Sequence, residues 1–372
     1  MTHRLDTAAF DREVRALLIA ARWSAAELEQ VLATTARIDL GDADSWLREW
    51  TAAGGQAWAA ARGGDAGQRY LHAASYYGAA LALIESSEGL VEEAALWRRQ
   101  RECWDRAVLG LGGERVEIPL RAGSLPGYFV PAGQGSRPVI VVDSGGRMVT
   151  SQAWAQVGAA ARARGYHFLT FDGPGRQEAL HLRGLVLRDD WDTVLGSVAN
   201  LLISRPDVDS HRMGLVGLEL GSYGAACALL AEHRFAAAIL LPGIHDASRL
   251  WLDRLPEGAR LALLDEDAER FARELHLASL FAPEFESRLR HDARAFDGTG
   301  SSLYALFRRI HGFRLDGRPG ELTTPTLVCD AFAGEPWAGQ ASETARRLGA
   351  ASRLSAGRTA DDAVGAWLDS LF

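Results

Sequence analysis

No lysine occurs among the 372 residues; all forty basic residues are arginine. Base composition accounts for that bias, given the excess of alanine, glycine and arginine, but the chemical consequence holds whatever the cause. Without lysine there is no Schiff base, no pyridoxal anchor and no P-loop lysine, so those chemistries are excluded. Cysteine is scarce as well. Cys103, Cys227 and Cys329 are odd in number and far apart, which gives neither a disulfide framework nor a CxxC metal spacing. No run of eighteen apolar residues occurs, so no membrane span is expected. The opening stretch MTHRLDTAAFDREVRALLIAAR lacks the uninterrupted apolar core of a signal peptide. A formal charge of −8, with no basic stripe, argues against nucleic acid as a partner. His167, His181, His211, His233, His276 and His291 show no H-x-x-x-H or other ligand spacing, so no metal is expected, and no cofactor. The expectation is a cytoplasmic protein that acts on a small molecule.

What is present has a clear order. Residues 1–112 carry apolar positions three and four apart, as in ADSWLREWTAAGGQAWAAARGG and QRYLHAASYYGAALALIESSE, which predicts helix after helix. LGLGG, Leu109 to Gly113, stops that pattern. RVEIPL and GYFVPA then read as a hairpin pair. PVIVVDSGG, HFLTFDGPG, MGLVGLELG, AAILLPG and TLVCDAF are short apolar strands running into glycine-rich or polar loops. Helical segments separate them, so residues 113–372 predict an α/β core with a mostly parallel sheet and ligands at the strand carboxyl ends. A helical insertion of roughly 248–316 is too long for a simple crossover and is expected to serve as a lid.

One stretch carries the chemistry. VGLELGSYGA, Val216 to Ala225, has the outline G-x-S-x-G of a nucleophile elbow, with Glu219 at the serine position. In such an elbow a sharp strand-to-helix turn lifts one side chain above the sheet, and glycines flank it because larger neighbours would collide. Here the motif falls at a predicted strand-to-helix junction.

On RYLHAASYYGAALAL, PGYFVPA, LTFDGPGRQE, SRPDVDSHRMGLVGLELGSYGA and TPTLVCDAFAGEPW, the chain resembles one branch of the α/β-hydrolases. That branch includes FrsA, 2,6-dihydroxypseudooxynicotine hydrolase and related carbon–carbon hydrolases that shorten polyketides. The resemblance covers nearly the whole chain. It implies an α/β-hydrolase fold, an N-terminal helical domain over the active-site face and a homodimer. It also implies that the catalytic triad is altered at every position. The serine is Glu219. The acid position in DAFAGEPW holds Gly334 with Glu335 beside it, and no histidine follows His311.

A carboxylate at the tip has two chemical uses. It can attack, giving an ester that must then be hydrolysed without the usual histidine. Alternatively it can act as a general acid or base, tuned by partial burial. The second use suits a lyase, cyclisation or isomerisation on an aryl-ketone or polyketide-like compound. A third reading is a catalytically inactive member that binds a small molecule or a protein. The oxyanion hole would draw on backbone N–H groups of Leu220 and of the loop Ser144 to Arg147, with Gly146 inside it. Arg147 either orients an anionic substrate or closes onto Glu219. His245 follows the strand expected beside the elbow and is the candidate proton partner; Tyr76 and Tyr77 are candidate substrate-facing hydroxyls. Asp172 is expected to brace a turn, and Ser222 to serve packing.

Overall fold

The computed structural model describes residues 7–21, 25–61, 66–84, 93–121, 123–146, 148–297, 300–318, 320–331, 337–349, 351–355 and 360–371. Five helices come first: α1 (Thr7–Ala21), α2 (Ala25–Thr35), α3 (Ala43–Ala60), α4 (Ala66–Ala82) and α5 (Glu93–Gly110). The sheet follows, built from β1 (Glu114–Leu120), β2 (Gly123–Val130), β3 (Arg137–Ser144), β4 (His167–Phe171), β5 (Val208–Leu218), β6 (Ala237–Leu241), β7 (Thr326–Val328) and β8 (Ser352–Leu354). Their order across the sheet is β1-β2-β4-β3-β5-β6-β7-β8. β1 pairs antiparallel with β2, and β2 with β4; every later pairing is parallel. This is an α/β-hydrolase fold. β8 was not legible in the sequence, because three residues without an apolar run carry no strand signal.

Strand pleating explains how one sheet serves two apolar layers. Along β3, Val139 and Val141 join one buried cluster while Ile140 and Val142 join the other. β6 alternates in the same way, with Ala238 and Leu240 on one side and Ile239 and Leu241 on the other. Successive side chains of a strand point to opposite faces, so runs such as VIVV are apolar throughout because both faces are covered. Ile140 and Val142 belong to one buried cluster with residues of α1–α5, to which α3 gives Trp46 and Trp50 and α5 gives Trp97 and Trp104. The face of Val139 and Val141 packs against the helices Trp191–Ile203 and Leu220–Ala228. Helices between β6 and β7, among them Glu257–Leu264, Ala268–Phe281 and Leu303–His311, join that second layer.

α5 ties the helical layer to the core. Trp97, Gln100, Arg101 and Trp104 share one helix face at spacings of three and four residues. Trp97 donates to Gln177 Oε1 at 2.8 Å, and Gln100 to Ser151 Oγ at 3.0 Å. Arg101 pairs with Asp172 and donates to the Tyr128 hydroxyl at 3.1 Å, with both ion-pair partners buried. Asp172 thus does more than brace a turn: it also receives the Glu178 amide at 3.3 Å and anchors α5. Among the described residues, no helix is long and apolar enough to cross a membrane.

Candidate active site

β5 lies between β3 and β6, and its last residue, Leu218, is paired with Ser144 on one side and Leu241 on the other. Glu219 follows at the carboxyl edge of the sheet and leads directly into the helix Leu220–Ala228. Its backbone takes φ 50° and ψ −128°, a strained combination for a residue with a side chain, of the order of 1–3 kcal/mol. Two bonds hold it there: its amide donates to Leu241 O at 2.8 Å, and its carbonyl accepts from Ser222 N at 2.9 Å. The elbow predicted from the sequence is therefore formed, with the carboxylate half-buried at its tip.

The close approach of two backbones explains the glycines. A Cβ on Gly221 would lie 2.0 Å from Asp143 O, and one on Gly145 would lie 2.2 Å from Gly221 N and 2.3 Å from Leu220 N. Real Cβ atoms do not come this close to backbone. The loop after β3 is thus pressed directly onto the first turn of the elbow helix. Gly146, at φ 61°, sits beside the elbow side chain; a Cβ there would lie 3.2 Å from Glu219 Oε2. The structure brings Glu219, Leu220 and Gly146 to one corner.

A buried polar cluster missed in the sequence supports that corner. Asp143, at the end of β3, is fully buried and pairs with Arg176, itself 4% exposed. Arg176 Nη1 also donates to the Ser144 carbonyl, and its guanidinium lies 4.6 Å from the Trp191 ring centre. Trp191 Nε1 gives the second carboxylate oxygen of Asp143 its donor at 2.6 Å. Burial pushes the Asp143 carboxyl up from its ordinary range, while Arg176 and the indole N–H pull it back. Arg176 falls in FDGPGRQE, where a charge after a Gly-Pro-Gly turn reads as solvent-exposed; no local pattern marks it as buried.

The remaining candidates separate. His245 is half-buried, and the charges acting most strongly on it are Arg347, Asp246 and Glu343. Arg347 and Glu343 belong to the helix Ala341–Leu348, so the charges that act on the imidazole come from that helix and from the adjacent Asp246. Burial, with Arg347 beside it, holds its pKa below the ordinary histidine value. Tyr76 and Tyr77 are corrected more firmly. Both are buried within the helical layer: Tyr76 stacks on Trp50 at 5.6 Å with Glu27 beside its hydroxyl, and the Tyr77 ring covers Gly54. Neither presents a hydroxyl to a substrate, because α3 uses both rings as core. Ser222 donates to the Pro242 carbonyl, as expected of a packing residue. Arg147, Gly334 and Glu335 lie outside the described residues.

The family described as "Esterase FrsA-like" matches residues 14–257, about two thirds of the chain. The chain belongs to the FrsA-like family. Curated relatives include hydrolase LUC6 of Fusarium sp., 30% identical over 266 residues and covering 66% of this chain and 63% of that protein. Another is 20-hydroxy-prefusarin hydrolase FUS2 of Gibberella moniliformis, 29% identical over 266 residues and covering 66% and 63%. The chain thus spans slightly less than two thirds of the length of these relatives. Among solved structures, the 2,6-dihydroxy-pseudo-oxynicotine hydrolase superposes with a TM-score of 0.69 at 16% identity, covering 96% of this chain and 95% of that one. That likeness supports the same fold for this FrsA-like chain over the span it covers.

Proposed function

We propose that this FrsA-like protein is an enzyme of specialised metabolism that uses Glu219 as a general acid–base group on an aryl-ketone or polyketide-like carbonyl compound. The observation that carries the reading is the nearness of the Glu219 carboxylate to Gly146, where an added Cβ would lie 3.2 Å from Oε2. A titratable group beside the backbone that would receive a carbonyl oxygen can deliver or remove a proton as charge develops there. Half-burial of the side chain supports proton transfer, since it restricts water without sealing the group away. The products would be those of enolisation: cleavage, cyclisation or isomerisation. Attack by Glu219 as a nucleophile is the second reading, favoured by the printed names of the relatives, which are hydrolases. It requires an activated water to open the ester, and the sequence has no histidine beyond His311 to supply one.

The test is exchange of α-protons of aryl ketones, beginning with acetophenone, followed by proton NMR in D₂O. Wild-type protein should accelerate exchange, and Glu219→Gln should lower the rate by about 10²–10⁴-fold, the range of a positioned acid–base group. A Glu219→Gln protein as active as wild type would refute the proposal. Solvent ¹⁸O carried into the Glu219 peptide during turnover would instead favour the nucleophile.

A further inference from the structure

We propose that Arg176 is the positioning residue of the Glu219 site, clamping the Ser144 carbonyl so that the Gly145–Gly146 backbone is held at the carboxylate. This rests on the acid–base reading of Glu219 for its catalytic meaning, although the clamp itself is a matter of geometry. Two consecutive glycines are the most freely rotating backbone available. A backbone that must aim its amides at one point therefore needs an external restraint, since a glycine has no side chain to supply one. Arg176 provides the restraint from below through two acceptors, Ser144 O and Asp143 Oδ1.

The clamp is keyed to the elbow as well as to the loop. Trp191 donates to the other oxygen of Asp143 at 2.6 Å. A Cβ on Gly224, one turn along the elbow helix, would lie 2.3 Å from the Trp191 indole nitrogen. The chain of contacts therefore runs from the elbow helix through Trp191 to Asp143, then through Arg176 to Ser144 and the glycines. A cluster of this kind is a poor means of adding stability, because burying both charges costs several kcal/mol of desolvation, as a rough general figure. A planar guanidinium can lie 4.6 Å from the Trp191 ring centre while one of its nitrogens serves both acceptors; an ammonium has no plane to fix it against that ring.

The experiment uses the full-length protein labelled with glutamate enriched in ¹³C at the side-chain carboxyl. The Glu219 resonance is assigned by its loss in Glu219→Gln, and its titration is compared in Arg176→Lys and Trp191→Phe. Arg176→Lys keeps the charge and loses the planar group that packs on Trp191; Trp191→Phe keeps every charge and loses one N–H. If the clamp positions the loop, both should move the Glu219 titration by about half a unit or more, roughly threefold in the proton-binding constant. On any ketone that wild type exchanges, kcat should fall about tenfold or more with KM within twofold, as expected for misaimed groups. A folded variant of either kind with wild-type titration and kcat would overturn the proposal. Failure of the acid–base reading shows elsewhere, as full exchange activity in Glu219→Gln. If no ketone is exchanged by wild type, the titration decides the clamp alone.

Discussion

Replacing Gly145 by alanine adds one methyl group at the tightest point of the site. Its φ lies outside the glycine-only region, so the backbone conformation itself accepts alanine. The obstacle is steric: the new carbon would stand 2.2 Å from Gly221 N and 2.3 Å from Leu220 N. An ordinary contact is about 3.5–4 Å, so loop and elbow must part by more than 1 Å or so. No side chain can rotate aside, because both obstructing atoms are backbone. Overpacking of this kind costs about 1–3 kcal/mol, measurable as a lower urea midpoint with an unchanged slope. A displacement near 1 Å at the reacting groups costs roughly 10²-fold in rate, so Glu219-dependent proton exchange should fall by about that factor. Gly112 is the control. Its φ is 73° with nothing within 4 Å of an added Cβ, so Gly112→Ala should cost about 1–2 kcal/mol of conformational strain and leave exchange intact. A Gly145→Ala protein as stable and as active as wild type would refute the close approach of loop and elbow, and with it the site.

Two further predictions concern the frame. His167 is buried, with Nδ1 accepting from Ala132 N and Nε2 donating to Asp207 O, each at 2.9 Å, which fixes a neutral ring. Burial lowers its pKa, as it does for His181, His245 and His311, so the unfolded chain binds these protons more tightly. Their contribution to stability is therefore full above about pH 6.5 and declines as pH falls through the lower folded-state values; urea melts from pH 8 to 5 should show this, with a smaller slope in His167→Gln. Arg101→Met should destabilise by about 3–5 kcal/mol, because it leaves Asp172 buried without its cation, and adding Asp172→Asn should recover part of the loss. Additive effects of those two substitutions in a double-mutant cycle would show that the pair is not coupled.

Much of the architecture was legible because it rests on periodicity. The change from a helical to a strand pattern after LGLGG and the apolar runs ending in glycine each reflect burial on one stripe or on two faces. The elbow was legible for a different reason: Gly217 and Gly221 bracket Glu219 because the chain has no room for larger neighbours. What stayed hidden depends on side-chain direction. His245 follows the strand that pairs with the elbow strand, as its position in the sequence suggests, and the charges that act on its ring come from Asp246 and from the helix Ala341–Leu348. Tyr76 and Tyr77 stand about 100° apart on their helix, and the packing of α3 takes both, Tyr76 against Trp50 and Tyr77 over Gly54. Gly54 in α3 was the available signal, a gap that Tyr77 fills. Arg176 gave no signal at all, since its burial depends on Asp143, thirty-three positions earlier.

These hidden contacts bear on whether the corner is a working site or a remnant. Three features that each oppose stability meet there: a non-glycine residue at φ 50°, a buried ion pair, and two backbones in direct contact through glycines. None is needed to carry a parallel sheet across from β5 to β6. An unstrained turn with an apolar residue in place of Arg176 would serve that purpose at lower cost. A protein that only binds a ligand has no need of a loop backbone held this close to a carboxylate. Proton transfer does, because its rate depends on sub-ångström placement of donor and acceptor in a way that affinity does not. The discriminating result is therefore a split: if Gly145→Ala weakens ligand binding as much as it weakens turnover, the corner is a binding surface; if turnover falls and binding holds, it is aimed at a reaction.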